Sequence, residues 1–67
     1  MNIQDMLNEI KARTSLSDGA VALRLTEMGA RATQSTVWRL RTGAHSSTSF
    51  ELGRAIERLY HTVAAEN

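Results

Sequence analysis

The 67-residue chain is predicted to fold as an all-α protein, a compact bundle of four short helices. Three observations predict it. Apolar residues recur at helical spacing in four separate segments. Capping side chains or glycines stand at the ends of those segments. No stretch alternates with the period of a strand, and proline is absent, so no helix interior is broken.

The first helix is expected from about Ile3 to Arg13, where Ile3, Met6, Leu7 and Ile10 share one face. Asn2 is placed to cap it, and Asp5 suits the positive end of its dipole. Thr14 and Ser15 interrupt the pattern. Ser17 then opens a second helix, with Leu16 and Val21 spaced as a hydrophobic staple. Val21, Ala22, Leu25 and Met28 continue the stripe, Gly19 weakens the first turn, and Gly29 marks the stop, since glycine takes the left-handed cap cheaply. The third helix starts after Thr33, whose side chain can accept from the amides of Ser35 or Thr36. It turns Val37 and Leu40 inward and ends at Gly43. A helix this short is not stable alone and must be held by its neighbours. For the fourth, Thr48 and Glu51 are spaced as a capping box. Leu52, Ala55, Ile56, Leu59 and Val63 form its buried stripe, and residues 64–67 are expected to fray.

Composition narrows the function. With no cysteine there is neither a disulfide nor a thiolate metal site, and His45 and His61 stand apart from any ligand cluster. No metal, cofactor or small-molecule ligand is expected, and no nucleophile is placed beside an acid or base, so an enzyme is not expected either. The apolar runs are too short for a membrane span, and the acidic, amphipathic start does not read as a signal peptide. The expectation is a cytoplasmic protein.

Net charge is only +1, but it is unevenly distributed. Residues 19–54 carry Arg24, Arg31, Arg39, Arg41 and Arg54 against Glu27 and Glu51. A localised anion-binding face is one reading of this, and a solvated helix surface is the other. The third helix has only two strongly apolar positions, so Gln34, Ser35, Trp38, Arg39, Arg41 and Thr42 are left outside. This set suits a major groove. Glutamine can bridge adenine N6 and N7, arginine can grip guanine O6 and N7, and serine adapts as donor or acceptor. The helix start at Thr33 also points free amides outward, as phosphate binding needs. For Gln34 and Arg39 DNA contact is favoured over plain solvation, and for Ser35 the two stand level. Trp38 has two readings: packing in the core or over the edge of the fourth helix, which is slightly favoured, or lying against thymine methyls and sugar. Arg31 and Arg41 read as phosphate contacts rather than base readers, with plain surface charge nearly level.

At these residues the chain resembles the helix-turn-helix family of phage Cro proteins and lambda-type repressors. The matching residues are Leu16-Ser17-Asp18, Val21-Ala22 and Leu25 in the first motif helix. They continue with Thr33-Gln34-Ser35-Thr36-Val37, Leu40 and Gly43 in the second. The likeness covers residues 16–59, with the motif over about residues 17–42 of one domain spanning 1–67. It implies base contacts from Gln34, Ser35, Trp38 and Arg39, and phosphate contacts from Thr33, Thr42, His45 and Ser46. It further implies a Cro-like repressor of phage or prophage origin in the host bacterial cell, bound to palindromic double-stranded DNA as a homodimer. Phe50 and Tyr60, off the main stripe of the fourth helix, are the candidate dimer contacts, with a place at the edge of the core as the equal alternative. Two departures stand out. The stretch from Leu25 to Val37 is longer than in the family motif, giving an extended turn, and Asp18 takes a place often held by glutamine, where its charge opposes DNA unless it is otherwise engaged. The second functional reading is a helical protein-interaction module, an anti-repressor or adaptor on the same scaffold.

Overall fold

The computed structural model describes residues 1–66. Its elements follow the expected order: α1 (Ile3–Thr14), α2 (Asp18–Glu27), α3 (Gln34–Thr42) and α4 (Phe50–Ala65), with no strand among the described residues. Asn2 Oδ1 accepts from the Asp5 amide at 2.8 Å and starts α1. Ser17 Oγ accepts from Ala20 at 3.1 Å and starts α2. Thr33 Oγ1 accepts from Thr36 at 3.2 Å and starts α3. These three caps are the ones the sequence places.

The fourth start differs. Ser49, not Thr48, caps α4, accepting from the Leu52 amide at 3.2 Å. Serine caps somewhat better than threonine. Thr48 instead turns its methyl toward the helix, 3.6 Å from where a Cβ on Gly53 would lie. The Thr48–Glu51 capping box is therefore replaced by a Ser49–Leu52 cap one residue later. The other end differs too. Ala64 and Ala65, expected to fray, remain helical, with Glu66 as the C-cap donating its amide to Thr62 and Val63. Buried Val63 anchors that last turn, and Asn67 lies outside the described residues.

One apolar cluster joins the helices. Leu7, Ile10, Leu25, Val37 and Ile56 are its most enclosed large side chains, and among the described residues no polar or charged one is buried. Of the predicted stripe residues, Ile3 and Met28 are only partly buried and pack at its border. Helix α1 packs on α4 and α3, and α2 packs chiefly on α3.

Helix ends are closed by specific bonds. After α2 the Ala30 amide donates to Leu25 O and the Gly29 amide to Thr26 O, both at 3.0 Å, with Gly29 at φ 97°. This is the Schellman arrangement, and the residues at its two apolar positions, Ala30 and Leu25, are both buried. The Thr26 hydroxyl accepts from the Ala32 amide at 3.3 Å and lies 2.9 Å from Ala22 O, to which it donates. The extended connection of residues 28–33 is thereby tied back to α2. At the far end of α3, Gly43 sits at φ 87° and Asn8 Nδ2 donates to Arg41 O at 3.0 Å. A side chain of α1 thus satisfies a carbonyl that the helix leaves unpaired.

Gly43 is doubly constrained, because a Cβ there would also come within 3.2 Å of Gln4 Nε2. A left-handed non-glycine residue costs about 1–2 kcal/mol. Gly43→Ala should therefore lower the stability measured by urea unfolding by at least about that much. Gly29→Ala, with open space around its Cβ, should cost no more than the conformational part.

Candidate nucleic-acid interface

Helix α3 gives the core two residues, Val37 and Leu40, at 1% and 3% exposure. The rest of its circumference follows from that anchoring. Gln34, Ser35, Trp38, Arg39 and Thr42 are all exposed. At about 100° per residue they fall within about 140° of arc, opposite the buried pair. All four expected base-reading residues thus share one face.

Their states differ. Trp38 is 50% exposed and stands outside the core cluster, so it is not a core residue. Among the described residues Arg39 and Arg31 carry no ion pair, since the pairs are Arg13–Glu9 and Arg41–Asp18. The Thr42 hydroxyl donates to Trp38 O at 2.8 Å, so its proton is already committed. Thr33 is likewise engaged, as the cap of α3 and at 3.0 Å from Thr36 Oγ1.

Gln34 lies beside the other helix start. Its Cδ and Oε1 are 3.9 Å from where a Cβ on Gly19 would be. The N-termini of α2 and α3 therefore approach each other, and both present positive dipole ends. Asp18, in the first turn of α2, is gripped by Arg41: Nε–Oδ1 is 2.8 Å and Nη2–Oδ2 3.0 Å. Both side chains are largely shielded, at 11% and 20% exposure. The hydrogen bond from Arg41 holds the Asp18 carboxyl below its usual range, with burial opposing and the Arg41 and Lys11 charges adding to the effect. The same bond raises Arg41. The cation expected on phosphate thus has an internal partner, and the carboxylate expected to oppose DNA is neutralised. No local pattern announced this pair, whose members are 23 residues apart. The available signal was an unexplained acid at the start of α2 and an arginine on the α3 flank nearest its buried pair.

His45 and Ser46 are exposed but lie elsewhere. They border a hollow of about 380 Å³ with Asn2, Gln4, Met6, Leu40 and Glu57, away from the Gln34–Trp38 face. The His45 amide, donating to Arg39 O at 3.1 Å, fastens this loop to the end of α3.

Phe50 and Tyr60 are ten positions apart on α4, about 15 Å along its axis, and form no common patch. Tyr60 packs partly buried against the core, its ring edge-on to His61 at 5.4 Å. Phe50 is 75% exposed, with the Arg54 guanidinium carbon 5.5 Å from its ring centroid. It borders a groove of about 440 Å³ shared with Met28, Gly29, Ala55 and Arg58, a feature that the sequence pattern did not reveal.

Among the described residues no group of three or more His, Cys, Asp or Glu could hold a metal ion, and no helix is long and apolar enough to cross a membrane. Comparison with family models, curated proteins and solved structures finds no match for the chain.

The Asp18–Arg41 pair sets a pH dependence. A depressed carboxyl pKa contributes stability that is complete above the unfolded value of about 3.9 and is lost as pH falls through the folded one. Replacing one partner of a charge-assisted, largely shielded pair costs about 1.5 kcal/mol or more. Arg41→Gln should show that loss in urea unfolding at pH 7, and the gap to the parent protein should narrow as pH falls below the usual carboxylate range.

Proposed function

We propose that the protein is a sequence-specific regulator of transcription, a Cro-like repressor in kind and not an enzyme, that lays α3 in the major groove of double-stranded DNA. The observation that carries this reading is the α3 face itself. A short helix held by two core residues displays a glutamine, a serine, a tryptophan and an unpaired arginine on one arc. Gln34 and Arg39 are assigned to base edges, adenine and guanine respectively, with Ser35 beside them. Arg31, free in the connection before α3, is assigned to phosphate, together with the amides at the α3 start. Arg41 is assigned to the Asp18 pair instead, and Thr33 and Thr42 to shaping the helix. His45 and Ser46 reach phosphate only if the backbone passes over the end of α3.

One such helix reads a short half-site, so binding to a palindrome calls for a homodimer. Phe50 and the groove beside it are the candidate contact, and Tyr60 is left in the role of core packing. The setting that fits is the cytoplasm of a bacterial host carrying a phage or prophage. A second reading, a protein-interaction module such as an anti-repressor, is favoured by that same exposed phenylalanine, which shares its groove with Arg54 and Arg58.

Selection from a random duplex pool, followed by titration at two salt concentrations, separates the two. The regulator should enrich a palindromic site and lose affinity steeply with salt. Arg39→Ala should weaken the selected site by about 1–3 kcal/mol and relax base preference at one position. Arg31→Ala should weaken all duplexes alike and flatten the salt slope. Absence of enrichment would move the function to a protein partner, and full operator affinity in both variants would overturn the groove assignment of α3.

A further inference from the structure

We propose, on the basis of the DNA-binding reading above, that Trp38 selects for thymine by covering its 5-methyl group in the major groove. Trp38 is the only tryptophan in the chain and is half exposed on α3. It stands one turn after Gln34 and one turn before Thr42, with Ser35 and Arg39 on the same arc. A duplex that meets this face meets the indole at its centre.

Half of the side chain remains open to solvent. It lies outside the core cluster. Among the described residues no aromatic ring stacks on it and no guanidinium sits over it, since those contacts belong to Tyr60–His61 and Arg54–Phe50. Thr42, its neighbour one turn on, has directed its hydroxyl proton back to the Trp38 carbonyl. The centre of the face is therefore apolar, with hydrogen-bonding groups at its two ends.

Base edges in the major groove are almost wholly donors and acceptors. Laying an indole over them removes water without replacing its hydrogen bonds, which is unfavourable. The exception is the methyl of thymine, the one apolar group that the groove floor of unmodified DNA offers. Thymine also carries the O4 acceptor beside that methyl, and the indole N–H is a donor only. The pairing thus satisfies both parts of the side chain, whereas cytosine offers neither the methyl nor an acceptor on that edge. Gln34 and Arg39 would then flank a thymine contact within one half-site.

The test uses the duplex that the full chain selects, with thymines replaced one at a time by uracil, a change that removes only the methyl. At one position per half-site affinity should fall about four-fold, the worth of one buried methyl. Trp38→Ala, at a position outside the core, should fold normally by circular dichroism and bind thymine and uracil duplexes equally at that position. Trp38→Phe should retain part of the preference. In the parent protein, the tryptophan emission should shift to the blue on the thymine duplex and less on the uracil one. Tight binding with no thymine responding, or an unchanged thymine–uracil difference in Trp38→Ala, would overturn the inference and leave the DNA-binding reading intact. Failure to bind any duplex would overturn both.

Discussion

The rest of the structure depends on how α3 is held. Two side chains, Val37 and Leu40, fix it to the core, and nine residues cannot sustain a helix on their own. Its position is therefore set from outside. The Schellman turn at Gly29 and the Thr26 hydroxyl fix the approach. Asn8 holds the Arg41 carbonyl, Asp18 holds the Arg41 guanidinium, and Gly43 allows the chain to leave within van der Waals reach of Gln4. Each support touches an end of the helix, so none obstructs its outer face. A polar face on a rigidly supported element is what recognition requires.

Charge is arranged around the same device. Asp18 and Arg41 cancel each other between α2 and α3. Of the six lysines and arginines without an ion pair among the described residues, four mark two regions. Arg31 and Arg39 lie on the α3 side, and Arg54 and Arg58 border the groove at Phe50. A net charge of +1 conceals this division. Free arginines beside a hydrogen-bonding face suit nucleic acid, whereas free arginines beside an exposed phenylalanine suit a protein. One small domain thus offers two surfaces of different chemistry, as a symmetric DNA-binding dimer would need.

What could be read from the sequence was what is encoded locally. Ile3, Met6, Leu7 and Ile10, or Leu52, Ala55, Ile56 and Leu59, declare a helix because burial at spacings of three and four leaves a pattern. Asn2, Ser17 and Thr33 declare starts because a cap bonds an amide two or three residues on, and Gly29 and Gly43 declare stops through positive φ. Where two local solutions were available the choice was not legible. Ser49 and Thr48 both have an amide three residues on, and it is Ser49 that takes the bond while the Thr48 methyl faces Gly53. The fraying expected of Ala64 and Ala65 ignored how firmly Val63 is buried. The face of α3 was legible as a set of residues. The engagement of Arg41, the tie from Thr26 to Ala32 and the separation of His45 from that face arise from tertiary contacts that no spacing in the chain records.

The central claim is that the outer face of α3 is the surface that meets DNA. Amide chemical-shift mapping of the protein titrated with duplex tests it residue by residue. The account predicts that shifts concentrate on Arg31, the amides at the α3 start and the Gln34–Thr42 segment, with the indole N–H signal of Trp38 among the largest. Shifts confined to Phe50, Arg54 and Arg58, or none at duplex concentrations that saturate ordinary DNA-binding domains, would contradict it and make the α4 groove the functional surface.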